Sequence, residues 1–343
     1  MVFISYIRIR YSPQSHYRKV VAFYFRRGLV FLQYVLQAYI VYSLELAYSH
    51  SFFLTIAFYM LNQYTIHNEH LTVKINRIGA ELCSVVNTQG TEFMWQAEEV
   101  WQRHAPNLFP IVGSLLDHEY IYEDKTYQLA HHGFARNLSF DMLHQSEHSI
   151  CFVLLHSEET LKSYPFMFTF LVTYTLVENR LTQTYRIIND DTKPMLASVG
   201  GHPAFNASPV SDFHIEFSDQ ETVKSNQLSG PYINEELVNV IDQDKIELND
   251  STFDNDALIF QDLKSKYVSL KHKHSSYEVK MNISEFPYLG IWSKPAAPFV
   301  CLEPWQGLAD FISHDKNLEN KKGIVNIPVG EELKKSFEME FVG

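Results

Sequence analysis

From Met60 onward, apolar and polar residues alternate with a period of two, the signature of strands with one face buried. The run LTVKINRI at residues 71–78 shows this most plainly. Residues 120–122 and 126–129, separated by the polar Glu123, Asp124 and Lys125, read as a hairpin with a short turn. Residues 168–176 and 180–188 read as a longer hairpin, and their Thr, Tyr and Phe suit a pleated surface. Further strands are predicted at 149–155, 213–217, 267–270, 277–283, 289–292 and 337–341. Only 157–164 and 235–241 carry helical signals, and both are short. No βαβ alternation and no internal repeat appears, which argues against a doubly wound parallel sheet. The expectation is an all-β domain over residues 60–343, a large antiparallel sandwich or barrel.

Residues 1–59 are different. They hold six basic side chains and one acid, a net of +5, which leaves −17 on the remaining 284 residues. Gly28 to Leu44 is free of charge and follows Arg26 and Arg27. As a helix it would run roughly 25 Å, just under a bilayer core. Gln33 and Gln37 weaken it as a span, and no good cleavage site follows it. The segment is expected to lie outside the fold, as upstream sequence counted in by an early start codon; a membrane anchor or a genuine extension are the alternatives. A cytoplasmic location is expected, with an N-terminal anchor as its alternative, and no membrane partner is expected of the main domain.

Composition narrows the function. With 46% hydrophobic and 20% charged residues the chain can bury a sizeable core. A net charge of −12 argues against a nucleic-acid partner, which needs a basic face. Cys83, Cys151 and Cys301 make no disulfide framework and no CxxC or Cys/His zinc spacing. Dinucleotide and phosphate loops, the GxSxG elbow and HExxH are all absent.

What remains is a series of short polar clusters among turn residues. Arg103 leads into a rigid segment, HAPNLFPIVG, where its planar fork can meet sugar hydroxyls or phosphate or lie idle at the surface. The run HHGFAR supplies His131, His132 and Arg136, with a glycine that permits close backbone approach. In GGHPAF, two glycines and Pro203 constrain His202, whose imidazole can exchange a proton near neutral pH. In LEPWQG, Glu303 is expected at a strand end, and burial beside Leu302 and Trp305 would raise its pKa and improve it as a base. In NDALIF, Asp256 can accept hydrogen bonds from a sugar or merely cap a turn. Each histidine and carboxylate has an equally ordinary structural role, and only their order and shared placement at expected strand ends favour one pocket. A histidine and a glutamate lined by aromatic rings suit a carbohydrate.

In that order, HHGFAR, GGHPAF and LEPWQG resemble the aldose 1-epimerase (galactose mutarotase-like) superfamily and, within it, the LacX-like branch. The resemblance covers roughly residues 62–342. It implies the large antiparallel β-sandwich of that superfamily, with few helices. It implies a mutarotase, an isomerase that interconverts the α and β anomers of a hexose or hexose phosphate, with His202 as catalytic acid and Glu303 as base. It implies His132 and Asp256 as substrate-binding residues. The stretch GSLLD at 113–117 lacks the arginine of the galactose-specific branch, whereas Arg103 and Arg136 resemble the hexose-6-phosphate branch. No cofactor or metal is expected, the partner is a small sugar, and the chain is expected as a monomer or homodimer. A non-catalytic sugar-binding or sensor protein on the same fold is the alternative. Either way, residues 202 and 303 are expected to face each other across a hole sized for a pyranose.

Overall fold

The period-two pattern resolves into two large antiparallel sheets in a computed structural model that describes residues 62–241 and 243–343. The expectations for residues 1–59 lie outside the described residues. The nine-stranded sheet runs in the order Lys245–Glu247, Phe213–Phe217, Tyr267–His272, Glu278–Asn282, Glu332–Val342, Arg180–Asn189, Phe168–Val177, Ser149–Leu155, Asp141–Gln145. The second sheet runs Tyr232–Ile241, Val223–Ser229, Leu258–Gln261, Tyr288–Trp292, Phe299–Trp305, Gly200–Gly201, Asn107–Leu108, with Ala204–Asn206 also pairing to Phe299–Trp305.

The two sheets share one apolar core. Phe170, Val172, Tyr185, Phe337 and Met339 contribute from the first sheet, and Phe260, Leu289, Ile291, Val300 and Leu302 from the second. Alternation along each strand supplies them: in Phe168–Val177 the buried positions are 168, 170, 171, 172, 174 and 176. Tyr174 meets its buried polar end by donating from Oη to the Ala80 carbonyl at 2.7 Å. The expected fold class is therefore the observed one.

Local chemistry sets the connections. Glu123 and Asp124 turn the hairpin between Glu119–Tyr122 and Lys125–Gln128 with φ of 47° and 57°, left-handed values that match the strand twist. The helix Glu158–Ser163 begins at Ser157, whose Oγ accepts from the Thr160 amide at 3.2 Å. The helix expected at 235–241 does not form. That stretch belongs to the strand Tyr232–Ile241, paired with Val223–Ser229. Its β-branched Val238 and Val240 favour extension, and Ile233 is anchored by backbone bonds to Asp310 and Ile312. Tertiary pairing overrides the weak helical signal of Glu235, Glu236 and Leu237. Among the described residues no helix is long and apolar enough to cross a membrane.

Candidate active site

The site is built on three rungs of the second sheet. Along Phe299–Trp305, Val300 and Leu302 point into the inter-sheet core. Phe299, Cys301, Glu303 and Trp305 therefore share the opposite face. In the antiparallel register, Trp305 lies opposite Gly200 and Tyr288, and Cys301 lies opposite Ala204 and Trp292. Between those rungs Glu303 is flanked by Gly290 on one side, and the same register carries His202 to its other side. Glu303 is thus inside a strand rather than at its end. Pro304, which has no N–H to give, lies opposite Gly201, the last residue before the neighbouring strand is interrupted at His202 and Pro203.

The two predicted reactive groups are in contact, with His202 Nε2 at 3.2 Å from Glu303 Oε2. They stand side by side, not on opposite sides of a hole. His202 is 8% exposed and Glu303 1%. Neither His202 Nδ1 nor Glu303 Oε2 has a hydrogen-bond partner. Burial drives both toward their uncharged forms. It pushes the Glu303 carboxyl well above the usual range, with Asp256 adding repulsion; the Trp305 N–H offsets part of this without an aligned hydrogen bond. Burial likewise pulls the His202 imidazole far down, and Arg136, His131 and Arg103 repel its charged form. The two shifts favour one state, a pair that carries a single proton and no net charge.

The glycines around the pair act by absence of bulk. A Cβ on Gly200 would sit 2.6 Å from Trp305 Cδ1, and one on Gly290 would sit 2.6 Å from Cη2. The Trp305 indole thus lies flat over both glycines and forms an apolar floor beside Glu303. Trp101 stacks on His202 with centroids 5.1 Å apart, and Trp292 meets the same ring edge-on at 5.7 Å.

Turns bring the polar groups. His132 adopts φ of 62°, and Gly133 follows at 69°, where a Cβ would strike the Phe109 carbonyl at 2.3 Å. The close approach that Gly133 permits is therefore to protein backbone. The Gly113 amide donates to His132 Nδ1 at 2.9 Å, which places the ring proton on Nε2. Burial holds this imidazole neutral, well below its usual pKa. Its Nε2 therefore carries the ring proton and can only donate. His131 sits beside it and bonds through Nδ1 to Ser114 Oγ at 2.7 Å.

Arg103 bonds Asn137 Oδ1 at 2.8 Å, and Arg136 bonds the His131 carbonyl at 2.8 Å. Neither arginine is in an ion pair among the described residues, and Arg136 Nε is buried without a partner. Burial and then Arg103 pull the Arg136 guanidinium down to about 10, while Glu81 compensates in part. Asp256 is exposed, with φ of 71°, and its Oδ1 caps the Ala257 amide at 2.8 Å. The turn-capping role foreseen for it is real, and it also reaches the cavity.

One cavity of about 560 Å³ gathers Arg103, His132, Arg136, His202, Asp256 and Glu303, with His131 beside them. That volume falls within the roughly 300–1,000 Å³ typical of small-molecule sites. The sequence reading missed Trp101, Trp292 and Lys294, which also line it. Trp101 lies two residues before Arg103, and Trp292 ends a predicted strand, but nothing in the local pattern says which way either ring points.

The site joins a histidine–glutamate pair to an aromatic-lined cavity on an antiparallel β-sandwich, and the chain belongs to the aldose 1-epimerase family, whose profile matches residues 62–336. Membership supports an epimerase or mutarotase-like function on a carbohydrate. Protein LacX of Lactococcus lactis subsp. lactis, in both its plasmid and chromosomal forms, is 32% identical over 291 residues, which span 80% of this chain and 97% of that protein. A galactose mutarotase related enzyme from Lactobacillus acidophilus superposes with a TM-score of 0.78 at 38% identity, over 81% of this chain and 97% of that one. A galactose mutarotase-like protein from Lactobacillus casei gives a TM-score of 0.78 at 30% identity, over 81% and 99%.

Proposed function

We propose that the chain is an aldose 1-epimerase that interconverts sugar anomers by acid–base ring opening, with His202 as acid and Glu303 as base. The observation that carries this reading is the 3.2 Å contact between the two side chains at the foot of the cavity. Ring opening takes a proton from the anomeric hydroxyl and gives one to the ring oxygen. Both oxygens are bonded to the same carbon, so the two catalysts have to stand side by side. A pair holding one proton matches the balance, because one is given and one is taken. As the sugar's hydroxyls enter the dry site they favour the ion-paired form, with imidazolium beside carboxylate. His202 then protonates the ring oxygen while Glu303 accepts the anomeric proton. Rotation about C1–C2 presents the other carbonyl face, and closure reverses the roles. The Trp305 floor supports the apolar face of the ring, and His132 Nε2–H and Asp256 hold hydroxyls. Each acid–base group supplies about 10²–10⁴-fold.

The substrate reading rests on Arg103 and Arg136, two cations on the cavity wall with no carboxylate paired to them. They favour a hexose that carries an anionic group, a 6-phosphate in the first instance, held by charge-assisted bonds. The test is anomer exchange followed by NMR for glucose, galactose and their 6-phosphates. Glu303→Gln, similar in shape and unable to accept the proton, should lose about 10²-fold or more in exchange rate while still binding sugar. Wild-type exchange in that variant removes Glu303 from the base role. Sugar binding without accelerated exchange in the wild type would instead mark a non-catalytic binder or sensor.

A further inference from the structure

We propose that His202, Cys301 and Glu303 form a three-ligand site for a soft divalent transition-metal ion, zinc above all, and that the ion shuts the sugar site by taking both reactive groups. Cys301 is one rung below Glu303 on the same strand face, between Ala204 and Trp292. Diagonal neighbours across such a ladder are within reach of one another. One imidazole nitrogen, the thiol sulfur and one carboxylate oxygen lie within 4.8 Å of each other, and all three residues are buried. A tetrahedral zinc with bonds of 2.0–2.3 Å needs ligand atoms roughly 3.3–3.8 Å apart, so the groups close by about 1 Å. The His202–Glu303 contact is already at 3.2 Å.

Two further observations point to a ligand. Glu303 Oε2, the carboxylate oxygen that faces His202 Nε2, is a buried polar atom without a hydrogen-bond partner, in a protein interior where such atoms are rare. Sulfur, nitrogen and oxygen donors together select zinc or cobalt over magnesium or calcium, which prefer oxygen alone. Thiolate and carboxylate balance the two positive charges, the imidazole binds neutral, and two protons leave to solvent, one from the thiol and one that the His202–Glu303 pair had held. The fourth position opens toward the cavity that His202 and Glu303 line, where water completes the shell. No close Cys/His spacing announces the site, because residues 202 and 301 meet only through strand pairing. The ion is an inhibitor here and takes no part in the proton transfers. Metal binding stands on this geometry alone, whereas inhibition rests on the anomer-exchange reading.

Cobalt tests the two parts separately. Chelator-stripped protein titrated with Co²⁺ should develop a near-ultraviolet thiolate-to-cobalt absorption that saturates at one equivalent, and Zn²⁺ should bleach it. Mg²⁺ should leave it unchanged. Cys301→Ala should abolish the band, with Cys301→Val as a second variant that keeps more of the buried volume. Both variants should exchange anomers at the wild-type rate and resist zinc, while zinc should slow the wild type by about 10²-fold or more. Absence of the band, or its persistence in folded Cys301→Ala and Cys301→Val protein, overturns the site. If the wild type exchanges no anomers, the cobalt band still decides whether the metal binds.

Discussion

Replacing Gly290 by alanine tests the proposed floor of the site. The added Cβ would meet Trp305 Cη2 at 2.6 Å, Cζ2 at 2.7 Å and Cζ3 at 3.0 Å. Ordinary contact begins at 3.4 Å, so the indole has to lift by about 0.8 Å. The backbone strands on either side are held by their ladders, which leaves the cavity as the direction of escape. Overpacking of this kind costs about 1–3 kcal/mol of stability. The larger effect is on the reaction: Gly290 lies directly opposite Glu303, and a reactant misplaced by about 1 Å can lose about 10²-fold in rate. Anomer exchange by NMR should therefore show kcat/KM down by about 10–10²-fold in protein that urea titration shows to be folded. Unchanged kcat/KM in folded Gly290→Ala protein would refute the idea that the Trp305 ring carries the sugar.

Arg103→Gln should raise KM for a hexose 6-phosphate by about 10–10²-fold, the worth of one charged hydrogen bond, and leave the unphosphorylated hexose alone; equal effects on both sugars would count against an anionic substrate. Burial keeps His132 uncharged in the folded chain, so below pH ~6.5 the unfolded chain binds a proton that the native one refuses, and stability falls with pH. His132→Gln should accordingly flatten the slope of unfolding free energy below pH ~6.5 by about 1.4 kcal/mol per pH unit, and identical slopes would show that the imidazole titrates in the native state. Lys321→Met should cost about 3–5 kcal/mol in chemical denaturation, because it strands the buried Asp310 carboxylate that Lys321 Nζ meets at 2.6 Å; a loss below 1 kcal/mol would mean that water or a neighbour replaces the ammonium.

The sequence disclosed strands better than it disclosed partners. The predicted 149–155 and 213–217 coincide with Ser149–Leu155 and Phe213–Phe217, because a half-buried strand writes its burial into alternate residues. Residues 235–241 failed because Glu235, Glu236 and Leu237 outweighed the β-branched Val238 and Val240 in the local pattern, and the pairing with Val223–Ser229 that decides for a strand leaves no local trace. Glu303 was named from its cluster, but its position inside a strand was hidden by Pro304, which ordinarily ends one. The glycines before His202 were read as freedom for the backbone. Their role is instead to make room for the rings of Trp305 and Phe337, and such a clearance is visible only once distant strands are in register.

The division between rungs and turns bears on how such a protein changes over time. The proposed proton-handling pair is fixed by strand register, so a one-residue slip would turn Glu303 into the core and dismantle the sandwich along with the chemistry. Arg103, His132, Arg136 and Asp256 are carried on connecting segments that can be rewritten without touching that ladder. Descendants of one ancestral scaffold could in this way swap sugars freely while inheriting an unaltered reaction.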